Sequence, residues 1–178
     1  MNTNLATLAD DWRRSLYIKD NRTCVFISHK KEDESAAIAI GNFLVEQVGV
    51  NIYLDLNDCE LKEAVSAEND QKIVESVKTG LEYSTHLLCI VSDRTKLSWW
   101  VPYEIGYAEK KGIDVSSLKL KGVEDIPSYL KIKKTLYTQE DFLRYLSTVT
   151  SLSVYFAESN YRKLYSKDRS SLERFIDK

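Results

Sequence analysis

Short apolar runs alternate along this chain with stretches whose apolar residues recur every three or four positions. Thr23-Cys24-Val25-Phe26-Ile27 predicts a buried strand. Ile38, Ile40, Phe43, Leu44 and Val48 follow at roughly helical spacing, and Gly49 is a suitable stop. Val50 to Leu54 predicts a second strand, leading into a long polar segment, Asp55 to Asp70, that contains no glycine. Ile73, Val74, Val77 and Leu81 mark a helix, Leu87 to Val91 a third strand, and the helix after it runs out at Lys110-Lys111-Gly112. Val115 to Leu120 and Lys134 to Tyr137 are further strand candidates separated by a turn around Pro127, and Gln139-Glu140-Asp141 opens a helix with acids in its first turn. This alternation predicts an α/β fold, a parallel sheet with helices on both faces. Leu5, Leu8, Ala9, Trp12 and Leu16 predict an extra N-terminal helix, and Tyr161, Leu164, Tyr165, Leu172, Phe175 and Ile176 a C-terminal one, either of which pads the domain or mediates association. The expected division is an extension over 1–21, a central domain over 22–145 and a second extension over 146–178.

Composition narrows the function classes. With 27 acidic and 25 basic residues the formal net charge is −2, so no global basic footprint argues for nucleic acid. No apolar run approaches the roughly 20 residues that span a bilayer, and the charged stretch Met1 to Asp20 lacks the apolar core of a secretory signal. Cys24, Cys59 and Cys89 are odd in number and lack metal-ligand spacing, so they predict buried thiols in a reducing cytoplasm and no metal site.

The most informative segment runs from Ser98 to Ala108. Ser98 is a candidate N-cap, and Pro102 fits only near a helix start, where few backbone donors have partners. Because a strand precedes it through Ser92-Asp93, Glu104 falls near the carboxyl edge of the sheet, in the first turn or so of the helix. Open α/β folds bind ligands at that edge. A carboxylate there, with Trp100 one turn before it, could grip a flat cationic ring and stabilise positive charge. The alternative is an exposed glutamate favoured by the helix macrodipole.

The alternation combined with four motifs resembles a known family. Phe26-Ile27-Ser28-His29 is similar to the first-strand signature of Toll/interleukin-1 receptor (TIR) domains. The strand endings Tyr53-Leu54-Asp55 and Val91-Ser92 also match, and Trp100-x-x-x-Glu104 resembles the tryptophan and glutamate of TIR domains that cleave NAD. The resemblance covers roughly residues 22 to 145. It implies a flavodoxin-like sheet and hydrolysis or cyclisation of NAD, with NAD as substrate and no cofactor. Glu104 would then be catalytic. Lys30 and Lys31 stand where related enzymes carry basic residues near the substrate, and Asn57 where a relative uses an acidic contact. The loop after the second strand is longer than usual for the family and lacks its glycine. Small TIR proteins of this kind also resemble the signal-producing component of Thoeris antiphage systems, which implies a downstream effector activated by the product.

The chemistry fits one carboxylate. Nicotinamide leaves NAD neutral, so the cleavage needs no general acid, and positive charge develops on the ribose as an oxocarbenium-like ion. An ionised Glu104 held against that sugar would stabilise it. Trp100 offers a face for stacking or cation–π contact, worth about 0.5–2 kcal/mol, and stacked adenine there would favour cyclisation. Adjacent helical residues point about 100° apart, so of Trp99 and Trp100 one is expected inward and Trp100 toward the crevice. Lys30 and Lys31 either neutralise the pyrophosphate or form a solvated pair. Ser28 and His29 share that strand end, His29 as a loop or packing histidine. Asp55 either contacts ribose hydroxyls with Asn57 or caps the following turn, Ser92 is a further candidate, and His86 is structural. Two other functions share these features: a non-enzymatic TIR adaptor acting by TIR–TIR binding, and a nucleoside deoxyribosyltransferase. Self-association through TIR surfaces is expected, and the acidic loop Asp55 to Asp70 should oppose it until a partner or screening salt intervenes.

Overall fold

The computed structural model describes residues 2–8, 23–54, 70–150 and 172–178. Five strands, β1 (Cys24–Ser28), β2 (Asn51–Leu54), β3 (His86–Val91), β4 (Asp114–Lys119) and β5 (Lys134–Leu136), form one sheet in the order β2-β1-β3-β4-β5. Every neighbouring pair is parallel. Five α-helices accompany them among the described residues: α1 (Glu34–Phe43), α2 (Asp70–Glu82), α3 (Trp100–Lys111), α4 (Ser128–Lys131) and α5 (Gln139–Thr150). This is the flavodoxin-like order, in which the winding reverses between β1 and β3.

β1, β2 and β3 are buried along almost their whole length, which is why they read as mostly apolar runs. Phe26 and Tyr53 are register partners whose rings stack at 5.7 Å on one face. Gly80 of α2 sits so close above them that a Cβ would fall 2.5 Å from the Tyr53 ring. On the opposite face Gly41 of α1 meets Ile52 and Ile27 in the same manner. α5 joins α1 there through Phe43 and Phe142, whose rings lie 6.1 Å apart. α3 joins α2 through Glu82, which accepts from Tyr107 Oη at 3.0 Å and pairs with Lys111 Nζ at 2.7 Å. Two layers of helix thus sandwich the sheet, as the alternation predicts.

Element ends follow local rules where these were legible. A π-helical turn, Leu44–Val48, prolongs α1 and closes at Gly49 with φ +77°. Gly112, also at φ +77°, ends α3.

The flanks are different. Among the described N-terminal residues, Leu5–Thr7 form a 3₁₀ turn. Asn4 is the reason: its Oδ1 accepts from Ala6 N and from Leu54 N, both at 3.1 Å, fastening the turn to the edge strand β2. Ile52 N donates to Thr3 O at 3.1 Å, so the segment covers an edge that would otherwise be open. Ala9, Trp12 and Leu16 lie outside the described residues. At the other end Leu172 and Ile176 are fully buried in the core, and Asp177 pairs with Lys119 at 3.2 Å. Tyr161, Leu164 and Tyr165 lie outside the described residues. No described helix is long and apolar enough to cross a membrane.

Candidate active site

The site forms where β1 and β3 part. β1 ends on Ser28, fully buried, and the hydroxyl of Ser28 donates a hydrogen bond to Glu104 Oε2 of α3. The start of α3 is set locally, because Ser98 Oγ accepts from Val101 N at 3.2 Å and Pro102 falls in the first turn, where its missing donor is harmless. Since the helix opens at Trp100, Glu104 stands in the second turn, deeper than the sequence suggests. The macrodipole has faded there, and the Ser28 hydroxyl donates to the carboxylate. Glu104 is only 3% exposed, so it lies beneath the crevice rim. A carboxylate removed from water requires donors of this kind.

Cys89 of β3 is the register partner of Ser28 and lies beside this pair. Burial pushes its thiol up first and the charge of Glu104 pushes further, the Ser28 hydrogen bond opposes them, and the charge of Asp33 adds the smallest push upward. The thiol therefore stays protonated and is neither a nucleophile nor a ligand for soft metals. Cys24 is likewise buried and free, its thiol pushed up to about 12 by burial. Cys59 lies outside the described residues. Among those described, no group of three His, Cys, Asp or Glu side chains could hold a metal ion.

The Ser28–Cys89 pair continues across the sheet. Ser117 of β4 is the partner of Cys89, and Thr135 of β5 the partner of Ser117, so four small polar side chains stand in one rank on one face. Ser117 Oγ donates to Thr135 Oγ1 at 3.0 Å, and Thr135 in turn reaches the Leu130 carbonyl of α4 at 3.5 Å. Tyr129, next to Leu130, has a buried Oη without a hydrogen-bond partner, its phenol pushed up to about 12 chiefly by burial.

Past the strand ends, Ser92 Oγ donates to Asp33 Oδ2 at 2.6 Å, joining the segments that follow β1 and β3. Ser92 was a sequence candidate, whereas Asp33 was not. Its only sequence signal is an acid five residues after Ser28, and that position suggests a helix cap. Trp100 precedes Glu104 by one turn, half-buried, its ring edge-on to Tyr103 at 6.3 Å. Trp99 precedes the helix, so the 100° relation between helical neighbours does not govern it, and it is 90% exposed. His29 is buried, its Nδ1 3.4 Å from Ile27 O. Lys30 pairs with Glu32 at 2.9 Å, and Lys31 is exposed. The structure thus pairs Ser28 with Glu104 beside Cys89, and Ser92 with Asp33. Asp55 and Asn57 lie outside the described residues. His86 stands at the opposite end of β3, beside Asp114, where it was expected to be structural.

What this arrangement can do is stabilise positive charge. It presents a shielded carboxylate with a fixed orientation, at the crevice where such sheets take ligands.

The family model described as "Thoeris protein ThsB, TIR-like domain" matches residues 26–125, more than half of the chain. The structure is similar to the TIR domain of the Toll-related receptor TRR-2 from Hydra magnipapillata, with a TM-score of 0.48 and 15% identity over 82% of this chain and 97% of that one. No curated protein matches the sequence. The chain belongs to the ThsB TIR-like family of Thoeris antiphage defence.

Proposed function

We propose that this protein, as a member of the ThsB TIR-like family, cleaves the bond between nicotinamide and ribose in NAD. The C1′–N bond breaks with its electron pair going to nicotinamide, which leaves neutral. In hydrolysis water adds to C1′ and releases a proton, giving ADP-ribose. In cyclisation an adenine nitrogen adds to C1′, and a cyclic ADP-ribose-type signal results. Glu104 stabilises the intervening oxocarbenium-like charge, and Trp100 orders a ring of the substrate beside it. Ser28 orients the carboxylate. The signal would activate a downstream effector, and self-association through TIR surfaces would accompany activity. The buried free thiols of Cys24 and Cys89 suit a reducing cytoplasm.

The observation that carries this reading is the Glu104 carboxylate, held by Ser28 at the β1/β3 switch point one turn after Trp100. The same burial favours one competing reading, in which Glu104 only fastens α3 to β1 and the domain acts as an adaptor for other TIR domains. Incubating pure protein with NAD and quantifying nicotinamide and products by mass spectrometry separates the two. Losing one preorganised electrostatic group costs about 10²–10³ in rate, so Glu104→Gln should lose nearly all turnover. Nicotinamide release at the wild-type rate from that variant, or none from the wild type, overturns the catalytic assignment. Deoxynucleosides as parallel substrates test the deoxyribosyltransferase alternative.

A further inference from the structure

Asp33 closes a 3₁₀ turn, Lys31–Asp33, that runs straight into α1, and its side chain makes no capping bond there. It reaches across the crevice between β1 and β3 to the hydroxyl of Ser92 at 2.6 Å. The segments it joins follow β1 and β3, the strands between which the sheet winding reverses and of which β1 ends on Ser28. Ser92 is well placed for this, because its Oγ also accepts from Arg94 N at 3.2 Å and its amide donates to Thr95 Oγ1 at 2.9 Å. Asp33 remains half-buried.

A carboxylate offers only acceptors, and the partner Asp33 holds is an alcohol. That is the chemistry of a sugar hydroxyl, which acidic residues in dinucleotide sites also accept. We propose that Asp33 accepts hydrogen bonds from the hydroxyls of the ribose whose anomeric carbon faces Glu104, with the Ser92 hydroxyl holding the carboxylate until the sugar displaces it. Glu104 then acts on the anomeric carbon while Asp33 fixes the ring by its other edge. This assignment rests on the NAD reading for the identity of the sugar. It differs from a plain latch, in which the Ser92–Asp33 bond does nothing beyond tying two loops together.

Asp33→Asn and Ser92→Ala separate the two roles. If Asp33 holds ribose, Asp33→Asn loses a charge-assisted acceptor and raises the KM for NAD by about tenfold or more, with a smaller change in kcat. Ser92→Ala frees the carboxylate from its competitor and lowers the KM by about twofold or more. If the bond is only a latch, both variants shift KM and thermal stability in the same direction, and the proposal is overturned. An NAD analogue lacking the 2′-hydroxyl of the nicotinamide ribose adds a cycle: it should bind worse than NAD to the wild type and no worse to Asp33→Asn. Calorimetry with ADP-ribose distinguishes the two failures. Weaker ADP-ribose binding by Asp33→Asn in a wild type that releases no nicotinamide sinks the NAD-cleavage reading and keeps the ribose contact. Turnover with equal KM in wild type and Asp33→Asn does the reverse, and a wild type that neither cleaves NAD nor binds ADP-ribose removes both.

Discussion

Ser28→Ala isolates the bond on which the candidate site is built. The hydroxyl donates to a carboxylate that is almost wholly out of water, and a hydrogen bond to a charged group contributes about 1.5–3 kcal/mol. For a domain of this size each kcal/mol moves the melting temperature by about 2–4 °C, so Ser28→Ala should melt roughly 3–12 °C lower. In a Glu104→Gln background the same hydroxyl meets a neutral amide, a bond worth about 0.5–1.5 kcal/mol. The two substitutions should therefore be coupled by about 1 kcal/mol, measured by urea unfolding of the wild type, both single variants and the double variant. Turnover of NAD by Ser28→Ala should fall mainly in kcat, since the carboxylate is still present but no longer fixed for the transition state. Independent sites add within about 0.3–0.5 kcal/mol. Equal costs of Ser28→Ala in the wild-type and Glu104→Gln backgrounds, within that margin, would refute the idea that Ser28 holds Glu104.

Two further outcomes test the surroundings of the site. Truncating a buried aromatic costs about 3–5 kcal/mol, and Trp100 is half-buried, so Trp100→Ala should lose about 2 kcal/mol in unfolding experiments and also alter the ratio of hydrolysed to cyclised product. Trp99→Ala should stay within about 0.5 kcal/mol of the wild type, as surface changes do; a larger loss from Trp99 than from Trp100 would reverse the assignment. On the covering helix, a Cβ at Gly80 would press into both Tyr53 and Phe26, so Gly80→Ala should destabilise the fold by about 1–3 kcal/mol, visible as a lowered urea midpoint. An unchanged midpoint would mean that the stacked rings move aside freely.

β1, β2 and β3 were legible because burial on both faces leaves mostly apolar runs, and each of the five predicted runs lies within a residue or two of an observed strand. Gly49 and Gly112 were legible as stops because a left-handed residue at a helix end is a local requirement. The 3₁₀ turn at Leu5–Thr7 was not legible for the opposite reason: Asn4 binds Leu54, some fifty residues away, and that contact fixes the turn. Ser28 and Glu104 could be found from motif and spacing. Cys89, Ser117 and Thr135 could not, since a small polar residue within a strand has no meaning until the register aligns it with its neighbours.

The positions where local expectation fails are concentrated at one place. Asp33 turns its carboxylate onto the Ser92 hydroxyl and caps no helix. Glu104 sits a turn inside its helix and is buried, away from the helix end that would favour its charge. A sequence that is locally consistent almost everywhere departs from consistency at functional positions. The departures here bring two acids and two hydroxyls to the β1/β3 crevice, which fits a site that must grip a sugar by its hydroxyls and bear a positive charge on its anomeric carbon.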